Sequence, residues 1–289
     1  MYDDILLPVD ESTESTAVIH HAAELAHWAD ATLRVLNVAD TARDSVTVVE
    51  NDVVDALVRE GQDVVDEVAA TLDTLGADYT TDVVQGDPAS TIVEYAEHYE
   101  YDLIVMPTHG RKNLSRYLLG SVTEKVVRLS TVPVLTARMV EDEALRFPYE
   151  SLLLATDGSE SAQAAVEYGL DLAATLDAEV HVISVVEDDM LGADVRSSAA
   201  SDRADTAAAE AIDAVREAAA ERGIDDVTGH LEHGDPDEVI LEFVEDDGVD
   251  AVVMGTTGRR GVDRILLGSV AEKTVRSVPV PVITVRKES

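Results

Sequence analysis

One stretch of the sequence decides the fold. It consists of the largely apolar run Val249-Asp250-Ala251-Val252-Val253-Met254, the segment Gly255-Thr256-Thr257-Gly258, nine further residues, and Gly268-Ser269. The apolar run predicts a buried β-strand. Ser269-Val270-Ala271-Glu272 has the Ser-x-x-Glu spacing of a capping box, which predicts the start of a helix. Two glycine-rich segments thus lie between the carboxyl end of a strand and the amino end of a helix. Open parallel sheets bind anionic ligands at such places, through free backbone N–H groups and the helix dipole.

The same pattern occurs twice in the chain. The matching stretches are Ile5–Asp10 with Leu152–Asp157, Gly86-Asp87-Pro88 with Gly234-Asp235-Pro236, Gly120-Ser121 with Gly268-Ser269, and Val132-Pro133-Val134 with Val280-Pro281-Val282. The offset is 147 at the first match and 148 at the others, so one residue is inserted between the first and second matches. The chain is therefore two copies of one domain. We predict that the domains span 1–144 and 145–289.

Strands and helices alternate within each copy. In the second copy the predicted strands are Ser151–Thr156, Val180–Val186, the more polar Val227–Glu232, Val249–Met254 and Val280–Val285. Helices are predicted between them, including one from about Ala204 to Arg222 and one with Asp235 as its N-cap. Five strands joined by helices predict an α/β fold with a parallel sheet in each domain. In a doubly wound sheet of order 3-2-1-4-5, a crevice opens between the carboxyl ends of strands one and four.

The charge of the chain is strongly acidic, with 59 Asp and Glu residues against 21 Lys and Arg residues and a formal net charge of -38. The acids are interleaved with periodic apolar residues, which predicts acidic faces on folded helices and not a disordered tail. Self-repulsion of this size is screened at ~1 M salt, where the Debye length is about 3 Å, so we expect a protein adapted to a salt-rich cytoplasm. The acidity argues against nucleic-acid binding, which requires a basic face.

Several classes of protein are excluded or disfavoured by what the sequence does not contain. Cysteine is absent, which excludes disulfides, thiolate metal sites and a Cys nucleophile. The eight histidines do not fall into metal-type spacings. No segment approaches about 18 consecutive apolar residues, and the start at Met1 has neither a positive region nor a long apolar run. We therefore expect a cytoplasmic protein that does not span a membrane.

Basic residues are concentrated around the two glycine-rich segments. Ten of the 21 Lys and Arg residues lie in the windows 111–128 and 259–276. Compensation of the helix dipole and pairing with neighbouring acids are an alternative explanation for those in the helices, which are Lys125, Arg128, Lys273 and Arg276. It does not fit the loop residues, for which an anion-binding site is the favoured explanation.

The topology places Asp157-Gly158-Ser159, after strand one, opposite the Gly255–Gly258 segment. An Asp at such a place usually accepts hydrogen bonds from a ribose hydroxyl or a base amine, but it also suits the cap of the first helix. Neither copy contains a Walker P-loop, and neither has Gly-x-Gly-x-x-Gly after strand one, which disfavours P-loop and dinucleotide-binding proteins. We find no paired carboxylates and no nucleophile–base pair, so we assign no catalytic residue and no metal ligand.

These motifs resemble the universal stress protein family. The resemblance rests on Gly255-x-x-Gly258-x9-Gly268-Ser269, on Asp157-Gly158-Ser159 and on the Val-Pro-Val final strand, and it covers essentially the whole chain, once per copy. It implies a fold like that of adenine-nucleotide hydrolases, with ATP or another adenine nucleotide as ligand, with or without Mg²⁺. It also implies pairing of the two domains through their last strands, and it leaves further homo-oligomers open.

The resemblance assigns roles to particular residues. In the second copy, the aspartate and the end of strand two would meet ribose and adenine, and the glycine loop and Gly-Ser would hold phosphates. The residues implied there are Asp157, Gly158, Ser159, Val185, Val186, Gly255, Gly258, Arg259, Arg260, Gly268, Ser269 and Val270. The residues implied in the first copy are Asp10, Val38, Gly110, Arg111, Gly120, Ser121 and Val122.

The first copy departs from the family pattern at two positions. Pro107 stands where the motif has glycine, and proline lacks a backbone N–H and restricts φ. Glu11 replaces the glycine of Asp-Gly-Ser and adds a negative charge. The second copy is therefore the expected binding site, and binding by the first copy stays open.

Three functions are compatible with the sequence. The first is nucleotide-dependent stress response or regulation, with two pseudo-symmetric ATP sites and at most slow hydrolysis. The second is an adenylating or nucleotide-hydrolysing enzyme on the same scaffold, which the lack of a catalytic base disfavours. The third is a protein-interaction module that uses no nucleotide.

Overall fold

The computed structural model describes residues 1–11, 16–40, 52–108, 119–138, 145–187, 198–257 and 267–287. They form two compact units, Met1–Phe147 (unit 1) and Pro148–Ser289 (unit 2). Both units alternate strands with helices, as the sequence predicts.

Unit 1 is built on a parallel sheet. Its elements are β1 (Asp4–Val9), α1 (Thr16–Ala29), β2 (Thr32–Asp40), α2 (Asp52–Leu75), β3 (Tyr79–Gly86), α3 (Pro88–His98), β4 (Leu103–Pro107), α4 (Ser121–Leu129) and β5 (Val134–Ala137). The strand order is β3-β2-β1-β4-β5, and each neighbouring pair is parallel.

Unit 2 repeats this arrangement. Its elements are β6 (Ser151–Ala155), α5 (Glu160–Leu176), β7 (Glu179–Val186), α6 (Ser198–Glu221), β8 (Val227–His233), α7 (Pro236–Asp247), β9 (Ala251–Gly255), α8 (Ser269–Ser277) and β10 (Val282–Val285). The order β8-β7-β6-β9-β10 is again 3-2-1-4-5 within the unit, with parallel pairs throughout. The predicted fold, two tandem doubly wound α/β domains with five-stranded parallel sheets, is confirmed.

The core of each unit lies on both faces of the central strands. In unit 2, strand β6 has three fully buried residues, Leu152, Leu153 and Leu154. In β9 the exposed fraction is at most 1% for Val252 and Val253. Continuous apolar runs are typical of parallel strands that helices cover on both sides. The outer strand β8 is more polar, and its residues are intermediate or exposed, as expected for an edge strand.

The inserted residue lies in the turn between α6 and β8. Gly76 (φ 67°) and Gly223 (φ 77°) follow the equivalent helices α2 and α6 in left-handed conformation. Two residues separate Gly76 from β3, whereas three separate Gly223 from β8. The change of offset from 147 to 148 therefore enlarges one surface turn and leaves the strand register unchanged.

Two local predictions need correction. The capping box at Ser269 is wrong, because the N-cap of α8 is Gly268 (φ −65°, ψ 143°) and Ser269 is already the first helical residue. The hydrogen bond from the Gly268 N–H to the Thr256 carbonyl oxygen (2.8 Å) fixes where this helix begins. Helix α6 begins at Ser198, earlier than the predicted start near Ala204.

None of the helices in the described ranges combines the length and the apolar character needed to cross a membrane.

Candidate functional site

The site lies where three neighbouring strands of unit 2 end. Strands β6 and β9 pair with Ala155 opposite Met254, so the residues that follow them leave the sheet side by side. On the other side of β6, the Thr156 N–H donates to the carbonyl oxygen of Ile183 in β7 (2.9 Å). Val185 and Val186 form the end of β7. The predicted crevice between strands one and four is therefore flanked by the end of strand two.

The turn after β6 is held by its own side chains. The Asp157 carboxylate accepts a hydrogen bond from the Ser159 N–H (2.9 Å), and the Thr156 hydroxyl accepts one from the Gly158 N–H (3.1 Å). Gly158 has φ 72°, a conformation that favours glycine. The N-cap of α5 is Ser159, whose hydroxyl accepts from the Ala162 N–H (3.2 Å). Asp157 therefore supports the turn, and the cap that sequence reasoning allowed for it belongs to Ser159.

The end of β9 packs tightly against the first turn of α5. A Cβ on Gly255 would lie 2.7 Å from the Ser161 hydroxyl oxygen and 2.8 Å from the Ser161 carbonyl carbon and oxygen. The Ser161 hydroxyl also accepts a hydrogen bond from the Thr257 N–H at 3.4 Å. Sequence reasoning missed Ser161, because nothing in its local pattern separates it from an ordinary residue in the first turn of a helix.

The amino end of α8 supplies the backbone donors of the candidate site. The N–H groups of Ser269, Val270 and Ala271 in its first turn have no carbonyl partner inside the helix. The N-cap Gly268 has no side chain, and within the described residues no side chain caps this helix. Gly268 is itself bonded to Thr256, so the first turn of α8 is held at the end of β9. Such an end attracts anions.

Five of the predicted residues lie outside the described residues. They are Gly258, Arg259 and Arg260 in unit 2 and Gly110 and Arg111 in unit 1. Their place in the site stays a prediction.

The cations inside α8 are engaged by acids. The Lys273 ammonium lies 2.9 Å from an Asp237 carboxylate oxygen and 3.6 Å from one of Asp235, and Arg276 lies 3.4 Å from Glu272. The hydrogen bond from Asp237, followed by the charge of Lys273, lowers the pKa of Asp235, whereas burial raises the pKa of Asp237. Pairing with neighbouring acids thus accounts for Lys273 and Arg276. Asp235 is the N-cap residue of α7 as predicted, but its carboxylate is directed to Lys273 and makes no cap bond.

Unit 1 has the same frame around its corresponding crevice. Asp10 follows β1, and Val38 lies near the end of β2. Gly120 is the N-cap of α4 (φ −63°, ψ 139°), and its N–H donates to the Thr108 carbonyl oxygen (2.7 Å). Ser121 and Val122 are the first two helical residues, as their counterparts are in unit 2.

The two units differ in how the end of strand four is held. In unit 1 this strand ends at Pro107, whose carbonyl oxygen accepts a hydrogen bond from the buried Thr123 hydroxyl of α4 (2.9 Å). The residue equivalent to Thr123 in unit 2 is Ala271, which has no hydroxyl. In unit 2 the contact comes instead from Ser161 on α5.

Comparison with known families identifies this arrangement. The family model described as "Universal stress protein family" matches residues 1–138 and again residues 148–286. The chain belongs to the universal stress protein family. It is the tandem form, with one family domain in each unit, which confirms the resemblance drawn from the glycine motifs.

Relatives of this universal stress protein match either one domain or both. MJ0531 of Methanocaldococcus jannaschii, a universal stress protein, is 37% identical over 146 residues, which cover 50% of this chain and 86% of that protein. MJ0577 of the same organism is 30% identical over 155 residues, covering 48% of this chain and 96% of that protein. The crystal structure of a universal stress protein from Archaeoglobus fulgidus matches with a TM-score of 0.73 at 26% identity. It covers 99% of this chain and 97% of the other.

Proposed function

We propose that this universal stress protein binds ATP or another adenine nucleotide in the crevice of unit 2 and acts in the stress response as a nucleotide-dependent regulator. The observation that carries the proposal is the amino end of α8, where Gly268 leaves the first-turn N–H groups without a side-chain cap among the described residues. Backbone donors combined with the helix dipole suit the phosphate groups of a nucleotide.

The nucleoside would lie toward β6 and β7. The Asp157 carboxylate, oriented by its hydrogen bond from Ser159, is an acceptor suited to a ribose hydroxyl. Val185 and Val186, at the end of β7, would provide an apolar wall and backbone groups for the adenine. The phosphates would then extend toward Gly255 and Ser269, with Arg259 and Arg260 as additional partners.

A Mg²⁺ ion bound with the nucleotide would depend largely on phosphate oxygens and water. The described residues contain no group of three His, Cys, Asp or Glu side chains placed to hold a metal ion. Mg²⁺ is commonly held by substrate phosphates, water and one or two carboxylates, so the site suits an ion that arrives with ATP.

Unit 1 would bind nucleotide more weakly. Pro107 and Glu11 replace two glycines of the motif, and the carboxylate of Glu11 would repel an anionic ligand. No residue is assigned a catalytic role, so hydrolysis would be slow at most. We place the protein in a salt-rich cytoplasm on account of its net charge of -38. Pairing of the domains through their last strands stays a prediction.

Equilibrium titration with ATP in high salt tests the site, with Ser269→Pro as the informative variant. Ser269 is the first residue of α8, where proline is tolerated, and Gly268 already has the extended conformation that precedes proline. The substitution removes one phosphate donor and leaves the helix intact. We expect ATP affinity to fall about tenfold to 100-fold, since a hydrogen bond to a charged group contributes roughly 1.5–3 kcal/mol.

Two controls accompany this variant. Ser269→Ala keeps the N–H and should cost less affinity than Ser269→Pro. Ser121→Pro makes the same change in unit 1, where Gly120 has nearly the same conformation, and should leave the tighter ATP binding unchanged. Unaltered ATP affinity in Ser269→Pro, or no ATP binding by the wild-type protein, would contradict the proposal.

A further inference from the structure

The contact between Ser161 and the start of the glycine loop has no role in the function proposed so far. Gly255 lies so close to Ser161 that a Cβ would come within 2.8 Å of two Ser161 backbone atoms. Real Cβ atoms essentially never approach other heavy atoms below 3.0 Å, and backbone atoms of a helix move less easily than a side-chain end. Only glycine fits at position 255 with α5 in its present place.

The Ser161 hydroxyl adds a polar contact to this packing. It accepts a hydrogen bond from the Thr257 N–H at 3.4 Å, joining residues 96 positions apart in the chain. The preceding residue is held from two other elements: the Thr256 N–H donates to Val285 of β10 (3.2 Å), and its carbonyl oxygen accepts from Gly268 (2.8 Å). The first residues of the loop are therefore fastened to α5, β10 and α8.

Unit 1 does not have the residues for the same contact. Pro107 occupies the position of Gly255, and the offset of 147 aligns Ser161 with Glu14, which lies outside the described residues. Both partners of the contact thus differ between the units. Among the described residues of unit 1, the Thr123 hydroxyl of α4 donates to the Pro107 carbonyl oxygen at the end of the strand (2.9 Å).

We propose that Ser161 is a positioning residue for the phosphate-binding loop of unit 2. Its backbone restricts where Gly255 can lie, and its hydroxyl holds the Thr257 N–H, so the chain enters the loop in one orientation. Residues 255–257, where the chain enters the loop, are then held in place before a ligand arrives, which reduces the entropy lost on binding. This proposal rests on the nucleotide function proposed above, and it concerns the phosphates and not the nucleoside.

The test compares ATP with adenosine, which lacks phosphates, in Ser161→Ala. ATP affinity should fall about threefold to tenfold, the range for one hydrogen bond of roughly 0.5–1.5 kcal/mol, while adenosine affinity should not change. Gly255→Ala should weaken ATP binding more strongly, because the added methyl group displaces the loop. Gln163→Ala is a matched control, since Gln163 lies on the same helix and contacts the exposed Glu167.

A second measurement needs no ligand. Amide hydrogen exchange at Thr257 should be faster in Ser161→Ala than in the wild-type protein, because the hydroxyl acceptor is gone. Unchanged exchange at Thr257, or equal losses of ATP and adenosine affinity, would overturn the role of Ser161 alone. A wild-type protein that binds no ATP would overturn the proposed nucleotide function and this role with it.

Discussion

Units 1 and 2 share a frame but hold their glycine loops from opposite sides. In both, a glycine N-cap donates to a threonine at the end of strand four, which places the helix after the loop. In unit 1 the strand end is then held by Thr123 of that same helix, whereas in unit 2 it is held by Ser161 of the helix after strand one. The hydrogen bond from the glycine N-cap to the threonine is therefore common to both units, whereas the side chain that contacts the end of strand four differs between them.

A second pair of equivalent clusters shows the same freedom at the outer strands. In unit 1, Arg34 donates to the Tyr101 hydroxyl (3.2 Å) and the Tyr95 hydroxyl donates to Asp82 (2.9 Å). The residues of unit 2 equivalent to Arg34, Asp82 and Tyr95 are, in that order, His181, His230 and Phe243.

The chemistry of the two clusters differs. His181 and His230 lie 3.1 Å apart through their ring nitrogens, and Phe243 packs on both rings. Burial, followed by the charge of His181, lowers the pKa of His230. Burial raises the pKa of Tyr95 in unit 1, because it favours the neutral form of that group as it does for His230. The fold therefore accepts different polar groups at these positions as long as they have partners.

The largest effect is expected at the carboxylate that joins strands one and four at their amino ends. In unit 2 the buried Asp250 accepts from the Glu150 N–H (2.7 Å) and the Ser151 N–H (3.1 Å). Asp250→Ala removes two charged hydrogen bonds and should lower the free energy of unfolding by about 3–4 kcal/mol. Urea denaturation in high salt, with hydrogen exchange in β6, measures the loss.

The matching change in unit 1 sharpens this comparison. Asp102 accepts from the N–H groups of Asp3 and Asp4 (2.7 and 3.0 Å), but Asp3 and Asp4 are exposed and Asp102 is only half-buried. Asp102→Ala should therefore cost less than Asp250→Ala. Asp250→Asn keeps a neutral acceptor and should show an intermediate loss. Equal losses from the two alanine substitutions would break the expected difference between the units.

The second prediction concerns the pH dependence of unit 1. Burial lowers the pKa of His21 to about 4, from its ordinary value of 6.5. The folded state thus excludes a proton that the unfolded chain binds below pH 6.5. The contribution of neutral His21 to the free energy of unfolding is fully present above pH 6.5. It is lost as the pH drops toward 4, and the total loss is about 3 kcal/mol.

Trp28 makes this pH effect measurable in unit 1 alone, because it is the single tryptophan of the chain and lies on the same helix as His21. Urea unfolding followed by its fluorescence should become less pH-dependent in His21→Phe. Unit 2 has Tyr168 at the equivalent position, so the contribution of His21 is confined to unit 1. The same pH slope in His21→Phe and in the wild-type protein would contradict the assignment to His21.

The smallest effect on stability is expected at a pair of contacting positions, 37 and 61, that carry different residues in the two units. A Cβ on Gly61 would lie 2.5 Å from the Asn37 side-chain oxygen, and the Asn37 amide is fixed by its bond to the Val9 carbonyl oxygen (2.9 Å). Unit 2 has Ala208 and Ser184 at these positions. Gly61→Ala should therefore destabilise unit 1 by about 1 kcal/mol, because overpacking outweighs the gain in helix propensity.

The double variant Gly61→Ala with Asn37→Ser recreates the pair of unit 2. The loss of stability in the double variant should be smaller than the sum of the two single losses, because the smaller side chain relieves the shortest contact of the added methyl group, while Val83 Cγ1 stays 2.9 Å from it. Trp28 fluorescence in urea again reports on unit 1. Additive single effects would show that the two positions do not compensate each other.

Much of the fold could be predicted from the sequence, because apolar patterns and glycine spacings are local. The repeat and the alternation of strands and helices followed from them, whereas the strand order, and with it the placement of Asp157 opposite Gly255, followed from the doubly wound topology expected of such a chain. The start of α8 did not, since Ser269-x-x-Glu272 suits a capping box, but a hydrogen bond from Gly268 to a residue twelve positions earlier fixes the helix one residue sooner. Asp235 was assigned the correct position, yet its carboxylate makes no cap bond and interacts with Asp237 and with Lys273 on another helix.

The sequence by itself determined that this chain has two doubly wound domains, that each has a glycine loop between strand four and the next helix, and that the glycines at positions 158 and 255 occur only in the second. Tertiary structure alone decided that Ser161 meets Gly255 and Thr257, that Thr123 supports the other loop, and that Lys273 is paired with acids. The reason is physical. Periodicity reports which face of an element is buried, whereas these contacts join different elements and depend on how closely two backbones approach.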